Sequence, residues 1–117
     1  MTSSIQNLSE ATFDDAVAAP GLTVVDFWAA WCGPCRAMAP QLEQAAAQRP
    51  AFQFAKVDVD AEPVLAARYG IQSIPTLMVF RDGEPVAIQS GVVSASALVP
   101  ALDRLAAASA AGTQAAA

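Results

Sequence analysis

The stretch 22–29 carries a single charge, at Asp26, and is otherwise built from β-branched, aliphatic and aromatic side chains. A strand with one wet face alternates apolar and polar residues, whereas a near-continuous apolar run needs cover on both faces. This run therefore calls for a central strand inside a layered α/β fold. Beyond it the chain opens through Trp31-Cys32-Gly33-Pro34-Cys35 into a helical pattern, from Cys32 or Gly33 to about Arg49, which Pro50 ends. Both cysteines of the chain thus fall where the central strand hands over to a helix.

At a helix N-terminus the first backbone N–H groups lack intrahelical partners and the macrodipole favours negative charge, so a thiol placed there is stabilised as thiolate. Cys32 is expected to face solvent and attack a disulfide on another molecule. Cys35, about one turn further on, is expected to be shielded and to resolve the mixed disulfide. The two can also pair with each other. Pro34 falls in the first turn, where its missing N–H costs little, and Gly33 permits a tight turn. No cation stands between the cysteines, so extreme thiolate stabilisation is not expected.

Other uses of the pair fit less well. A loop this short constrains the unfolded chain little, which argues against a purely structural disulfide. Structural zinc takes about four nitrogen or sulfur ligands, and the chain has two cysteines and no histidine, so no metal site is expected. An iron–sulfur cluster shared by two subunits remains open.

The rest of the chain reads as one domain. At 117 residues, 55% hydrophobic and 15% charged, it can bury a single core. A short edge strand is expected over 5–8, then a helix capped by Ser9 and stopped by Pro20 and Gly21. A strand follows over 52–59 and a helix over 62–69, stopped by Gly70. Strands over 76–80 and 86–90 flank the hairpin signal Asp82-Gly83. The last helix should start at Ser94 and turn Leu98, Leu102 and Leu105 to one side, with Pro100 bending it or breaking its first turns. This order implies a mixed sheet with a parallel half, an antiparallel hairpin at one edge, and helices on both faces. The domain is placed at 1–108, and the alanine-rich tail 109–117 should fray.

A net charge of −5 and a pI near 4.3 disfavour nucleic acid or an anionic membrane surface as partner. No apolar stretch reaches the roughly 20 residues that span a bilayer. The first ten residues carry neither a basic residue nor an apolar run, so a cytoplasmic location is expected. In a reducing compartment two cysteines are more naturally catalytic than structural.

With these elements in place, residues 13–105 resemble the thioredoxin family. The resemblance rests on Val25-Asp26-Phe27-Trp28-Ala29 leading into Trp31-Cys32-Gly33-Pro34-Cys35, then Pro40, Lys56-Val57-Asp58, Tyr69-Gly70-Ile71, Ile74-Pro75-Thr76 and Gly83. It implies a thioredoxin fold, a central mixed sheet of about five strands with about four helices. It also implies a protein-disulfide reductase working by dithiol–disulfide exchange. The chain would bind no cofactor beyond a redox-active Cys32–Cys35 disulfide and would act as a monomer on disulfide-containing client proteins. Electrons would come from NADPH through a separate flavoenzyme, thioredoxin reductase.

The resemblance also assigns roles. Pro75 corresponds to the family's cis-proline, beside which an extended substrate segment pairs by strand addition. Asp26 corresponds to a buried carboxylate beneath the site; burial should raise its pKa and suit it to exchange a proton with Cys35. Lys56 corresponds to the lysine that tunes it. Trp28 would be packed under the site, Trp31 exposed beside the nucleophile, and Pro40 structural in the active-site helix. Trp31, Val59, Ile74, Gly91 and Val92 would outline a shallow apolar docking surface around Cys32.

Ser73 stands where many relatives have glycine, Ala30 where many have an acidic residue, and the stretch after Gly91 lacks a common lysine. All three bear on partner choice. Two rival readings follow: an oxidase or isomerase, disfavoured by the Gly33-Pro34 dipeptide, and a non-catalytic subunit or binding partner of a larger complex.

Overall fold

The computed structural model describes residues 5–116, with side-chain surroundings described through Ala108. The elements follow as β1 (Gln6–Asn7), α1 (Phe13–Val17), β2 (Leu22–Trp28), α2 (Gly33–Gln48), β3 (Gln53–Asp58), α3 (Pro63–Arg68), β4 (Thr76–Arg81), β5 (Glu84–Ser90) and α4 (Ala95–Ala116). The sheet order is β1-β3-β2-β4-β5, so the apolar run 22–29 supplies the central strand. β2 runs parallel to β3 and antiparallel to β4. β1 extends the parallel half and β5 the antiparallel half.

Alternation along β2 divides the core in two. Leu22 and Val24 pack against Met38 and Leu42 of α2 and Leu98 and Leu102 of α4. Val25 and Phe27 turn the other way, onto Phe13 and Val17 of α1 and Leu65 of α3. Phe13, Phe27, Met38, Leu42 and Leu102 are completely buried, and each such side chain stabilises the fold by about 1.5–3 kcal/mol. The same parity puts Asp26 and Trp28 on the α2 side of the sheet, opposite Lys56 and Asp58 in the β2–β3 register.

Several expectations shift in detail. Ser9 does not cap α1. Its carbonyl accepts the Thr12 and Phe13 amides in a preceding turn, and the helix starts four residues later with Thr12 as the cap, whose hydroxyl bonds no helix amide and instead accepts the Ser9 N–H at 2.9 Å. β5 begins at Glu84 rather than residue 86, because an edge strand tolerates Pro85. The turn between the two strands is the expected one: Asp82 and Gly83 both have positive φ, 51° and 88°, as a two-residue hairpin of matching twist needs.

Ser94 does cap α4, its carbonyl accepting from Leu98 and its hydroxyl from Ala97. The helix neither breaks at Pro100 nor ends before it. Pro100 is exposed, and the helix forfeits the bond from residue 100 to the Ser96 carbonyl on that exposed turn. The backbone is helical through Ala116, beyond the point where the tail 109–117 was expected to fray; the side chains of 109–117 and residue 117 lie outside those described.

Candidate active site

The handover from β2 to α2 places the sulfurs. Cys32 is the N-cap of α2, with extended backbone (φ −88°, ψ 113°), and Gly33 and Pro34 begin the helix. Cys32 and Cys35 are joined in a disulfide, their Cα atoms 5.2 Å apart. The Cys35 N–H donates to Cys32 Sγ at 3.1 Å. In the reduced form that amide, one of the orphan donors of the helix N-terminus, faces the sulfur that must carry negative charge.

Solvent exposure does not separate the two cysteines as the sequence suggested. In this disulfide form Cys32 is 4% exposed and Cys35 3%. Ala29, Trp28, Val59 and Ile74 close around both. What distinguishes them is position: Cys32 caps the helix and Cys35 lies within its first turn.

The Ile74–Pro75 bond is cis, and the Ile74 carbonyl oxygen lies 3.7 Å from Cys32 Sγ. The loop is tied down on both sides. Thr76 Oγ1 donates to the Ser73 carbonyl at 2.6 Å, and the Gly91 N–H donates to the Pro75 carbonyl at 2.9 Å. The structure thus brings the cysteines, the proline loop and the start of the 91–94 loop together, although they lie far apart in the chain.

Asp26 is completely buried, and among the described residues neither carboxylate oxygen has a hydrogen-bond partner. Loss of hydration pushes its pKa up to about 6, and the Lys56 charge opposes that rise. Lys56 makes no direct ion pair with Asp26 among the described residues. Its ammonium instead stands 4.6 Å from the centre of the Trp28 ring, a cation–π contact that holds the charge over the site. The expected lysine–aspartate relation is therefore an influence through space, with Trp28 as the seat of the lysine.

Trp31 is 68% exposed, and its Nε1 donates to Asp60 Oδ2 at 2.8 Å. Asp60 is held in turn by its own N–H donating to Asp58 Oδ1 at 2.9 Å. Trp31, Val59, Ile71, Gln72, Ser73 and Ile74 line a shallow hollow of about 160 Å³. Gly91 is exposed and Val92 is 48% exposed on the loop after β5. Pro40 sits at an exposed position of α2, which continues through it to Gln48.

Sequence reasoning missed Asp60 and Arg36. The Arg36 Nη1 donates to the Ala30 carbonyl at 2.8 Å and braces the active-site turn from outside. The only trace of Asp60 was its place in the acidic run after β3.

The family model for Thioredoxin matches residues 4–104. The chain belongs to the thioredoxin family. It is similar to the thioredoxin of Staphylococcus aureus, 45% identical over 101 residues covering 86% of this chain and 96% of that protein. It is also similar to the thioredoxin of Chlamydia muridarum, 41% identical over 100 residues, 86% of this chain and 97% of that one. A putative thioredoxin 2 of Streptomyces coelicolor is 44% identical over 98 residues, 84% of this chain and 72% of that one.

Among solved structures, one described as the structural basis of the thiol resolving mechanism in yeast mitochondrial 1-Cys peroxiredoxin via glutathione/thioredoxin systems contains a chain that superposes with a TM-score of 0.78. That chain is 29% identical, and the match covers 86% of this chain and 94% of that one. This member of the thioredoxin family has the thioredoxin fold and is a thiol–disulfide oxidoreductase, a protein-disulfide reductase whose redox-active centre is the Cys32–Cys35 pair.

Proposed function

We propose that this thioredoxin-family reductase is a monomeric, cytoplasmic electron carrier. It takes electrons from NADPH through a separate flavoenzyme, thioredoxin reductase, and delivers them to the disulfides of client proteins. The observation that carries the reading is the N-cap sulfur of Cys32, which faces the Cys35 amide on one side and the Ile74 carbonyl on the other. Val59 and Ile74, which line the hollow beside Trp31, also pack against the cysteines, so a substrate sulfur in that hollow lies next to the cluster that holds Cys32.

In the reduced protein the Cys32 thiolate attacks one sulfur of the client disulfide, and the other sulfur leaves as a thiolate. Cys35 then loses its proton to Asp26 and attacks Cys32, expelling the second client thiolate. Two electrons pass to the client, and the Cys32–Cys35 disulfide forms. The client backbone lies along the Pro75 loop in the manner of an added strand, between Trp31 on one side and Gly91 and Val92 on the other. Lys56 sets how readily Asp26 holds the proton.

Coupled reduction of insulin by NADPH and a bacterial thioredoxin reductase tests the carrier reading; absence of turnover with an otherwise folded protein removes it. A Cys35→Ser variant should accumulate mixed disulfides with clients through Cys32. Trapping through neither sulfur would overturn the assigned order of attack.

A further inference from the structure

Two side chains of α2 that neither the mechanism nor the docking surface uses are bonded to the segment after Gly91 and Val92. Met38 and Gln41 follow Cys35 at three-residue steps, which puts all three on one side of the helix. Met38 is completely buried, and its Sδ accepts the Val93 N–H at 3.5 Å. Gln41 is half-buried, and its Oε1 accepts the Ala95 N–H at 2.8 Å.

The Ala95 amide is one of the orphan donors of the first turn of α4. Ser94 Oγ serves the Ala97 amide at 3.2 Å, so Gln41 completes from another helix a cap that Ser94 leaves unfinished. At the other end of the same loop the Gly91 amide is held by the Pro75 carbonyl. The segment 91–94 is therefore fixed at Gly91 to the proline loop and at Val93 and Ala95 to the helix that carries both cysteines.

We infer that Gln41, with Met38 beside it, is a positioning residue that fastens the client-facing loop 91–94 to the active-site helix and so sets the rate at which protein disulfides dock. The inference rests on the reading that Gly91 and Val92 face the client. Gln41 touches neither sulfur. A small disulfide has only to reach the Cys32 sulfur and is indifferent to the loop, whereas a protein segment lying across Pro75 needs both walls in place. The Gln41 bond is the stronger of the two ties, since a thioether is a weak acceptor.

The test is single-turnover reduction by the pre-reduced protein, which removes any reductase from the assay. With Gln41→Leu the second-order rate constant for insulin falls about fivefold, the size expected from losing one neutral hydrogen bond. The constant for bis(2-hydroxyethyl) disulfide stays unchanged. Amide exchange at Val93 and Ala95 quickens in the same variant. Gln41→Glu keeps an acceptor and adds negative charge at the N-terminus of α4, so it restores both the insulin rate and the protection.

Equal losses on both disulfides, or an unchanged insulin rate once exchange has quickened, overturn the inference. If Gln41→Leu does not fold, Met38→Leu puts the same question at Val93. Failure of the unaltered protein to reduce insulin at all would strike the functional reading instead, and the exchange result would still report whether Gln41 holds the loop.

Discussion

Asp26→Asn separates the cost of the buried carboxylate from the structure around it. The pKa of Asp26 rises from 3.8 to about 6 on folding. At about 1.4 kcal/mol per tenfold change in proton affinity, this makes the ionised group unfavourable by about 3 kcal/mol in the folded state. Below pH 3.8 the carboxyl is protonated in both folded and unfolded chains, and the penalty is absent. Between 3.8 and about 6 the unfolded chain releases a proton that the folded chain retains, so raising the pH disfavours folding. Above about 6 the penalty is complete.

Asparagine has nearly the same shape and no charge, and the cost of its buried amide does not vary with pH across this window. The stability of the variant relative to the parent should therefore climb by about 2 kcal/mol from pH 4 to pH 7, most of the full span of about 3 kcal/mol, and then level off. Urea unfolding of the two oxidised proteins at half-unit steps of pH reads this directly. A difference that is flat with pH, or a parent that gains on the variant as pH rises, would refute the argument that desolvation governs Asp26.

Three further results are expected. Lys56→Met removes the charge that opposes the rise of Asp26, so the inflection in the same stability profile moves above pH 6; an unmoved or lowered inflection would show that Lys56 does not act on the carboxylate. Resolution of the mixed disulfide, followed by rapid mixing, should slow as pH falls through about 6, where Asp26 gains its proton, and Asp26→Asn should erase that inflection. Pro100→Ala gives α4 back the amide that Ser96 can accept, at an exposed position of a continuous helix. It should stabilise the protein by about 1–3 kcal/mol in thermal or urea unfolding, and a loss of stability would contradict the account of how the helix tolerates proline.

Local rules made much of the fold legible before any coordinates. The absence of alternation in 22–29 marked the central strand, Asp82-Gly83 marked the hairpin, and Pro50 and Gly70 marked helix ends. These features act through the backbone within a few residues, so sequence neighbours alone settle them. Ser9 was misread because a serine before an apolar pattern can cap a helix or open a turn, and the choice depends on where Phe13 must be buried against Tyr69 and Phe80. Of the outcomes expected at Pro100, the break does not occur, because the cost of an interior proline depends on its surroundings and this one lies at an exposed position.

The sequence by itself determined the chemistry: two sulfurs at a helix start, one charge inside an apolar strand, and no histidine to share the work. Only the tertiary structure decided how these act together. The parallel pairing of β2 with β3 set Lys56 beside Asp26, with Trp28 as the seat of its charge. Packing of α2 over the sheet buried both cysteines almost equally, and contacts across 29 and 54 residues of chain brought Asp60 to Trp31 and Gln41 to Ala95. Burial, charge separation and hydrogen bonds over such distances depend on where the elements come to rest, and no local pattern of residue types encodes them.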